Sequence, residues 1–181
     1  MGNQAALYRR PVDFARRQKL LADLDSGLGG DLASLAQTLW EQATDGRVKL
    51  LVTAIGLRLR RRFPALFREG DYQPLETRGA FADRLVAFMR ASSDARLIAV
   101  VPRLCVPLLR RFGTLCGGAA WGETLIEVPG VRSGTRFVDA FTGREVALTS
   151  AQGASGLWAR DLFQILPVFL GVQISPASMP S

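Results

Sequence analysis

Residues 45–75 read DGRVKLLVTAIGLRLRRRFPALFREGDYQPL, and the texture of the whole chain changes across them. Val48, Leu51, Val52, Ile55, Leu59 and Phe63 recur at spacings of three and four, which places them on one apolar stripe of a helix. Arg58, Arg60, Arg61 and Arg62 crowd its last turns, where cations suit the negative end of the helix dipole. Pro64 has no N–H to continue the hydrogen-bond ladder, so the spacing predicts a break near Arg62 or Phe63. Ala65-Leu66-Phe67 reads as a short turn, and Arg68-Glu69-Gly70-Asp71-Tyr72 supplies turn chemistry, after which the periodicity becomes that of strands. Upstream lies helix, and downstream lies mostly sheet.

Working back from that stretch, Asp31 can cap a helix running to about Ala43, with Leu32, Leu35, Ala36 and Leu39 on one stripe and Trp40 beside it. Asp13 can cap an earlier helix whose inner face shows Phe14, Leu21 and Leu24, ended by the glycine-rich run at residues 26–30. Three helices with short connections suggest a bundle, and Leu50 and Leu57, away from the main stripe of the third, suggest that it touches more than its two neighbours. Working forward, short runs rich in Val, Ile and Phe predict strands at 72–77, 84–91, 96–102, 124–128, 136–141, 145–148 and 168–174. Seven short strands separated by Gly, Ser and Asp point to an antiparallel sandwich. The connection 103–122 carries a helical turn at 106–112, a second such turn falls at 158–165, and the Pro/Ser-rich tail 175–181 reads as a frayed end. The expected division is a helical segment over 1–67 and a β-sandwich over 68–181, an α+β chain.

Composition narrows the chemistry. The chain has 181 residues, enough for one ordinary domain with a sizeable core. It contains no histidine, which removes Ser-His-Asp and Cys-His catalysis and the commonest zinc sites. Cys105 and Cys116 match no metal-binding or CxxC spacing, so they read either as two free thiols in a reducing compartment or as a single disulfide. The net charge of +7 admits three readings: an anionic partner such as nucleic acid, an arginine-rich proteome, or the exposed side of an incomplete protein. Because the arginines are scattered and no run of base-stacking aromatics accompanies them, nucleic acid is not an expected partner. No run of membrane-spanning length is present, and neither a signal-peptide core nor a myristoylation signal stands at the start, where Ala6 replaces Ser or Thr. A soluble cytoplasmic protein without cofactor or metal is expected.

Glycine clusters offer little. Gly27-Leu28-Gly29-Gly30 precedes a helix as a phosphate cradle would, but it follows a helix and lacks the lysine and hydroxyl that grip phosphate and magnesium. Gly153-Ala154-Ser155-Gly156 falls short of a nucleophile elbow and reads as a flexible surface loop. Glycosidic chemistry needs two carboxyl groups about 5 to 10 Å apart. Asp71, Glu76, Glu123, Glu127 and Asp139 lie on strands or turns, where such groups usually serve solubility, and no catalytic residue is assigned. Tyr72, Trp121 and Trp158 are the candidates for stacking on a sugar, although tryptophan at a strand start more often fills a core edge.

Taken in order, RRPVDFARRQKLLADLD, DGRVKL, RLRRRFPALFREGDYQPLE, LIAVVPRL, WGETLIEVP, FVDAFTGREV and LFQILPVFLGV resemble the C-terminal part of the maltooligosyltrehalose synthase family, an α-amylase-like glycoside hydrolase group. The resemblance spans about Arg9 to Val172. It implies a helical end of a (β/α)8 barrel region followed by a β-sandwich of the α-amylase C-terminal type. In the family the whole enzyme turns the reducing-end α-1,4 bond of a maltooligosaccharide into an α,α-1,1 bond by intramolecular transglucosylation. Its carboxylates stand on barrel strands that would precede Met1, so this chain is expected to be inactive alone, its partner the missing or separate barrel, through which alone it would meet maltooligosaccharide. Arg9 and Arg10 match the motif that follows a substrate-side loop and are the candidate substrate-side residues, although Ala5-Ala6-Leu7-Tyr8 replaces the Asp-Pro-Asp-Asn usual there. Arg47 and Lys49 match another block, with helix-to-barrel salt bridges as their expected role. Without the barrel, an apolar docking face on the third helix is expected to promote self-association. A stand-alone α-glucan-binding module and an arginine-driven nucleic-acid binder remain the alternatives.

Overall fold

The computed structural model describes residues 13–151 and 153–174. Asp13 caps α1 (Phe14–Gly27), its carboxylate accepting from the Arg16 N–H at 2.9 Å. Asp31 caps α2 (Leu32–Glu41), accepting from the Ala33 and Ser34 N–H groups and the Ser34 hydroxyl, and these bonds hold its carboxyl below the ordinary range. Asp45 accepts from the Arg47 N–H at 2.9 Å where α3 (Arg47–Arg62) begins, after Gly46 has turned the chain through a left-handed conformation.

α3 ends at Phe63, as the proline requires, but Pro64 then opens a further helix, α4 (Pro64–Arg68), where the sequence suggested only a turn. A missing N–H costs nothing in the first turn of a helix, so one proline both ends α3 and starts α4. Arg90 closes the other end of α4, donating to the Leu66 and Gly70 carbonyls at 2.9 Å each. A Cβ on Gly70 would strike the carbonyls of Leu66 and Ala91, which explains the glycine at this exit.

The strands are β1 (Asp71–Pro74), β2 (Thr77–Arg78), β3 (Leu85–Ala91), β4 (Ala95–Pro102), β5 (Leu125–Glu127), β6 (Arg136–Asp139), β7 (Glu145–Ala147), β8 (Thr149–Ala151), β9 (Ala154–Trp158) and β10 (Phe169–Ile174). Between β4 and β5 runs α5 (Val106–Phe112), and between β9 and β10 runs α6 (Ala159–Leu162). All pairings are antiparallel, in a six-stranded sheet of order β1-β3-β4-β10-β6-β7 and a four-stranded sheet of order β2-β5-β9-β8. The strand expected at 72–77 is therefore two: the chain leaves the larger sheet after Pro74 and enters the smaller one at Thr77.

Alternation along the strands sorts the core into layers. Met89, Ile98, Val100 and Phe169 of the larger sheet meet Ile126 and Leu157 of the smaller one in a single cluster that also takes in Trp121 and Phe163. The opposite face of the larger sheet, at Ala95, Leu97 and Ala99, is covered by Leu66 of α4, with Leu59 and Phe63 packed beside it. The upper part of α3, Leu51 and Ile55, packs with Leu24 of α1, Ala36 and Leu39 of α2, and Phe141 and Leu166 from the sheet region. Helices, larger sheet and smaller sheet thus form three layers, with α3 reaching from the helical cluster onto the sheet.

Among the described residues the helices number six against the three expected with two further turns, because short pieces such as Pro64–Arg68 and Ala159–Leu162 complete hydrogen-bonded turns of their own. α3 does touch more than its helical neighbours, but through Leu59 and Phe63 at the end of the main stripe; Leu57 is 62% exposed. Phe14, expected on the inner face of α1, is exposed as well. The loop expected at Gly153–Gly156 is a β-hairpin, in which Ser150 pairs with Ser155 and Thr149 with Gly156.

Candidate functional site

Of the five residues singled out from the sequence, three lie among the described residues, each in a different setting. Arg9 and Arg10 lie outside the described residues. Trp121 follows a 3-10 turn at Gly118–Ala120, and the core closes over it completely: it is 0% exposed, its ring centroid lies 5.0 Å from that of Phe163, and its indole N–H donates to the Leu115 carbonyl at 2.8 Å. This corrects the expectation that it could stack on a sugar, since no face of the ring is free and its one donor is used. Trp158, at the end of β9, is half-buried, and the Arg160 guanidinium sits 4.8 Å from its ring centroid, occupying a face a sugar would need. Tyr72 on β1 is 57% exposed and lies 5.1 Å from Phe88 of β3 at a tilt of 32°, a small aromatic step at one edge of the larger sheet.

Two of the five acidic candidates have local duties, while Asp71, Glu76 and Glu123 are exposed. Asp139 is 4% exposed at the end of β6, where its carboxylate accepts from the Thr142 hydroxyl at 2.6 Å and from the Phe141 and Leu170 N–H groups at 3.3 and 3.4 Å. Burial pushes this acid up, against the pull of those hydrogen bonds and of Arg144. Glu127 on β5 is paired with Arg78 of the neighbouring β2 at 2.6 Å. Among the described residues no group of three or more His, Cys, Asp and Glu side chains could hold a metal ion. Cys105 and Cys116 are free thiols; burial raises both, Cys116 to about 11, and the Cys116 thiol donates to the Ile165 carbonyl at 3.2 Å.

What the structure adds is a groove of about 700 Å³ between α3 and the outer face of the larger sheet. Its wall is Ile55 and Leu59 of α3 with Phe63 just past the helix end, and its floor is Val138, Ala140 and Val172. Leu28 and Leu32, where α1 hands over to α2, close one side. Arg58, Arg62, Arg136 and Glu145 stand around it. Arg136 bonds Glu145 across β6 and β7 at 2.9 Å, and Arg58 is held by Asp25 of α1. The sequence concealed this groove because its apolar residues carry the same periodicities as core, and only the packing decides which of them are left uncovered.

No protein-family profile matches the chain. Two proteins of Mycobacterium tuberculosis, strains CDC 1551 and H37Rv, assigned as maltooligosyl trehalose synthases, are each 30% identical to it over 165 residues, 91% of the chain. A solved structure of a single-site mutant of maltooligosyltrehalose synthase from Arthrobacter ramosus matches with a TM-score of 0.62 and 33% identity, again over 91% of this chain. The chain is similar to a C-terminal part of maltooligosyltrehalose synthase. It spans only 16% of the length of each Mycobacterium relative and 17% of the Arthrobacter chain. Helices followed by antiparallel sheets are thus common to this chain and to one segment of a maltooligosyltrehalose synthase. No helix among the described residues is long and apolar enough to cross a membrane.

Proposed function

We propose that the chain is the C-terminal structural portion of a maltooligosyltrehalose synthase-like enzyme of the cytoplasm, and that it contains none of the carboxylates that react. One observation carries this reading: 91% of the chain is matched, by only 16% of each relative. In this reading the sheets and α3 form a support on which the rest of the enzyme folds, and the barrel region, in cis or as a separate chain, is the partner. Intramolecular transglucosylation of the reducing-end α-1,4 bond to α,α-1,1 is the work of that larger assembly. Two of the candidate acids support the reading, since Glu127 is paired with Arg78 and Asp139 is enclosed by the turn it organises.

The test has two arms. Incubated with maltopentaose, the purified chain leaves reducing ends unchanged; appearance of a non-reducing product would overturn the assignment. Grafted in place of the matching segment of the Arthrobacter enzyme, it yields a soluble hybrid that forms that product. Tyr72 beside Phe88 favours a second reading, a glucan-binding module, because a sugar ring could lie on this exposed step. Affinity electrophoresis in soluble starch separates the two readings: retardation abolished by Tyr72→Ala supports the module, and unretarded migration leaves the structural role alone.

A further inference from the structure

We propose that the groove between α3 and the larger sheet binds a single-chain amphiphile with an anionic head, such as a medium-chain carboxylate. Its size, about 700 Å³, falls in the range of pockets that take small organic ligands, roughly 300–1,000 Å³. It is bounded by the sheet below, by α3 on one side and by Leu28 and Leu32 on another, a shape that suits a slender chain. The floor is apolar yet wet: Val138 is 42% exposed although it pairs with Val172 of β10, and elsewhere on this face α3 and α4 cover Leu97 and Ala99. An acyl chain laid over Val138 against Leu59 would remove that surface from water.

Charge selects the head group. Three guanidinium groups, of Arg58, Arg62 and Arg136, line the groove against one carboxylate, that of Glu145. Asp25 holds Arg58 and Glu145 holds Arg136, while none of the described ion pairs engages Arg62, whose guanidinium lies 5.2 Å from the Phe63 ring centroid. One cation therefore remains to bind an anion, and a guanidinium presents two parallel donors to a carboxylate. Gln173 also lines the groove, its amide oxygen accepting from Arg96 at 3.2 Å, which leaves the amide N–H groups to donate. A sugar fits poorly, because Phe63 is the one aromatic residue lining the groove and Arg62 already stacks on it. The inference is independent of the proposed function, and its failure would leave that reading untouched.

The experiment is calorimetric titration of the full chain with decanoate below its micelle concentration, beside decyltrimethylammonium and decanol. Decanoate is expected to bind, and the cationic analogue to bind at least about tenfold more weakly. Arg62→Glu should weaken decanoate by about tenfold or more while the chain stays folded, with only a small drop in thermal midpoint from a carboxylate at the negative end of α3. Arg110→Glu on α5, which does not line the groove, is the control and should leave binding as it is. Absence of decanoate binding would overturn the proposal. Equal binding of both head groups, or full affinity in the folded Arg62→Glu variant, would overturn it too.

Discussion

At Asp139 the fold encloses an acid for the sake of a turn. Its two oxygens gather the Thr142 hydroxyl and the N–H groups of Phe141 and Leu170, which shape the β6–β7 connection and tie it to β10. Burial raises its affinity for a proton above that in the unfolded chain. The sign follows by linkage: the native state holds this proton more tightly, so the group's contribution to stability is complete below the ordinary carboxylate range and is lost as pH rises through the raised value. Asp139→Asn, which keeps an acceptor and the shape, should flatten that dependence. In urea unfolding at a series of pH values, the stability of the natural protein relative to the variant is expected to fall as pH rises above the ordinary carboxylate range. A constant difference would contradict the assignment. The thiols provide a second residue-scale expectation. Burial disfavours the thiolate of Cys116 more than that of Cys105, beside which Arg84 pulls the other way. Iodoacetamide at pH 8 should therefore label Cys105 first, as read by peptide mass mapping; equal rates would argue against it.

Elements were legible in the sequence where one periodicity extended over several turns. α3 and its proline stop, the aspartate caps of α1 and α2, and the β3–β4 pair each combine a pattern with a boundary residue, so local chemistry and tertiary packing agree. The β8–β9 hairpin was illegible because its strands are short and rich in Gly, Ser and Thr, a composition that also describes loops. Its central glycine has a physical reason to be there. Gly156 lies in β9 against β5, and a Cβ at that position would come within 2.6 Å of the Ile126 carbonyl oxygen. That obstacle is backbone inside a paired strand and cannot swing aside. Gly156→Ala should destabilise the fold by about 1–3 kcal/mol, measured as a lower urea midpoint at unchanged m-value. A variant as stable as the parent would mean that β5 and β9 part freely enough to admit the methyl group. The candidate site was less legible than the elements. Nothing in WGETLIEV distinguishes a tryptophan that closes a core from one that offers a face to a ligand, and the 3-10 turn that aims Trp121 inward has no sequence signature of its own.

For the whole molecule, the open question is what α3 meets on its remaining side. One stripe is occupied by α1, α2 and the sheet, while Leu57 is 62% exposed with Arg60 and Arg61 following on the next turn. A single exposed leucine is ordinary on a protein surface, so the docking face rests on the proposed reading, in which a second surface covers Leu57. In the proposed reading that surface belongs to the rest of a synthase-like enzyme, and in isolation a second copy of the chain is the substitute at hand. The net charge of +7 opposes such pairing at low salt, and added salt screens it while favouring apolar contact. Sedimentation velocity is therefore expected to show a mass that grows with protein concentration at high ionic strength and stays monomeric at low. Leu57→Glu should abolish that growth without lowering the melting midpoint, because the exposed side chain contributes little to the folded core. Association that persists undiminished in the variant would place the sticky surface elsewhere, and a chain monomeric under all conditions would remove the argument that α3 carries a docking face at all.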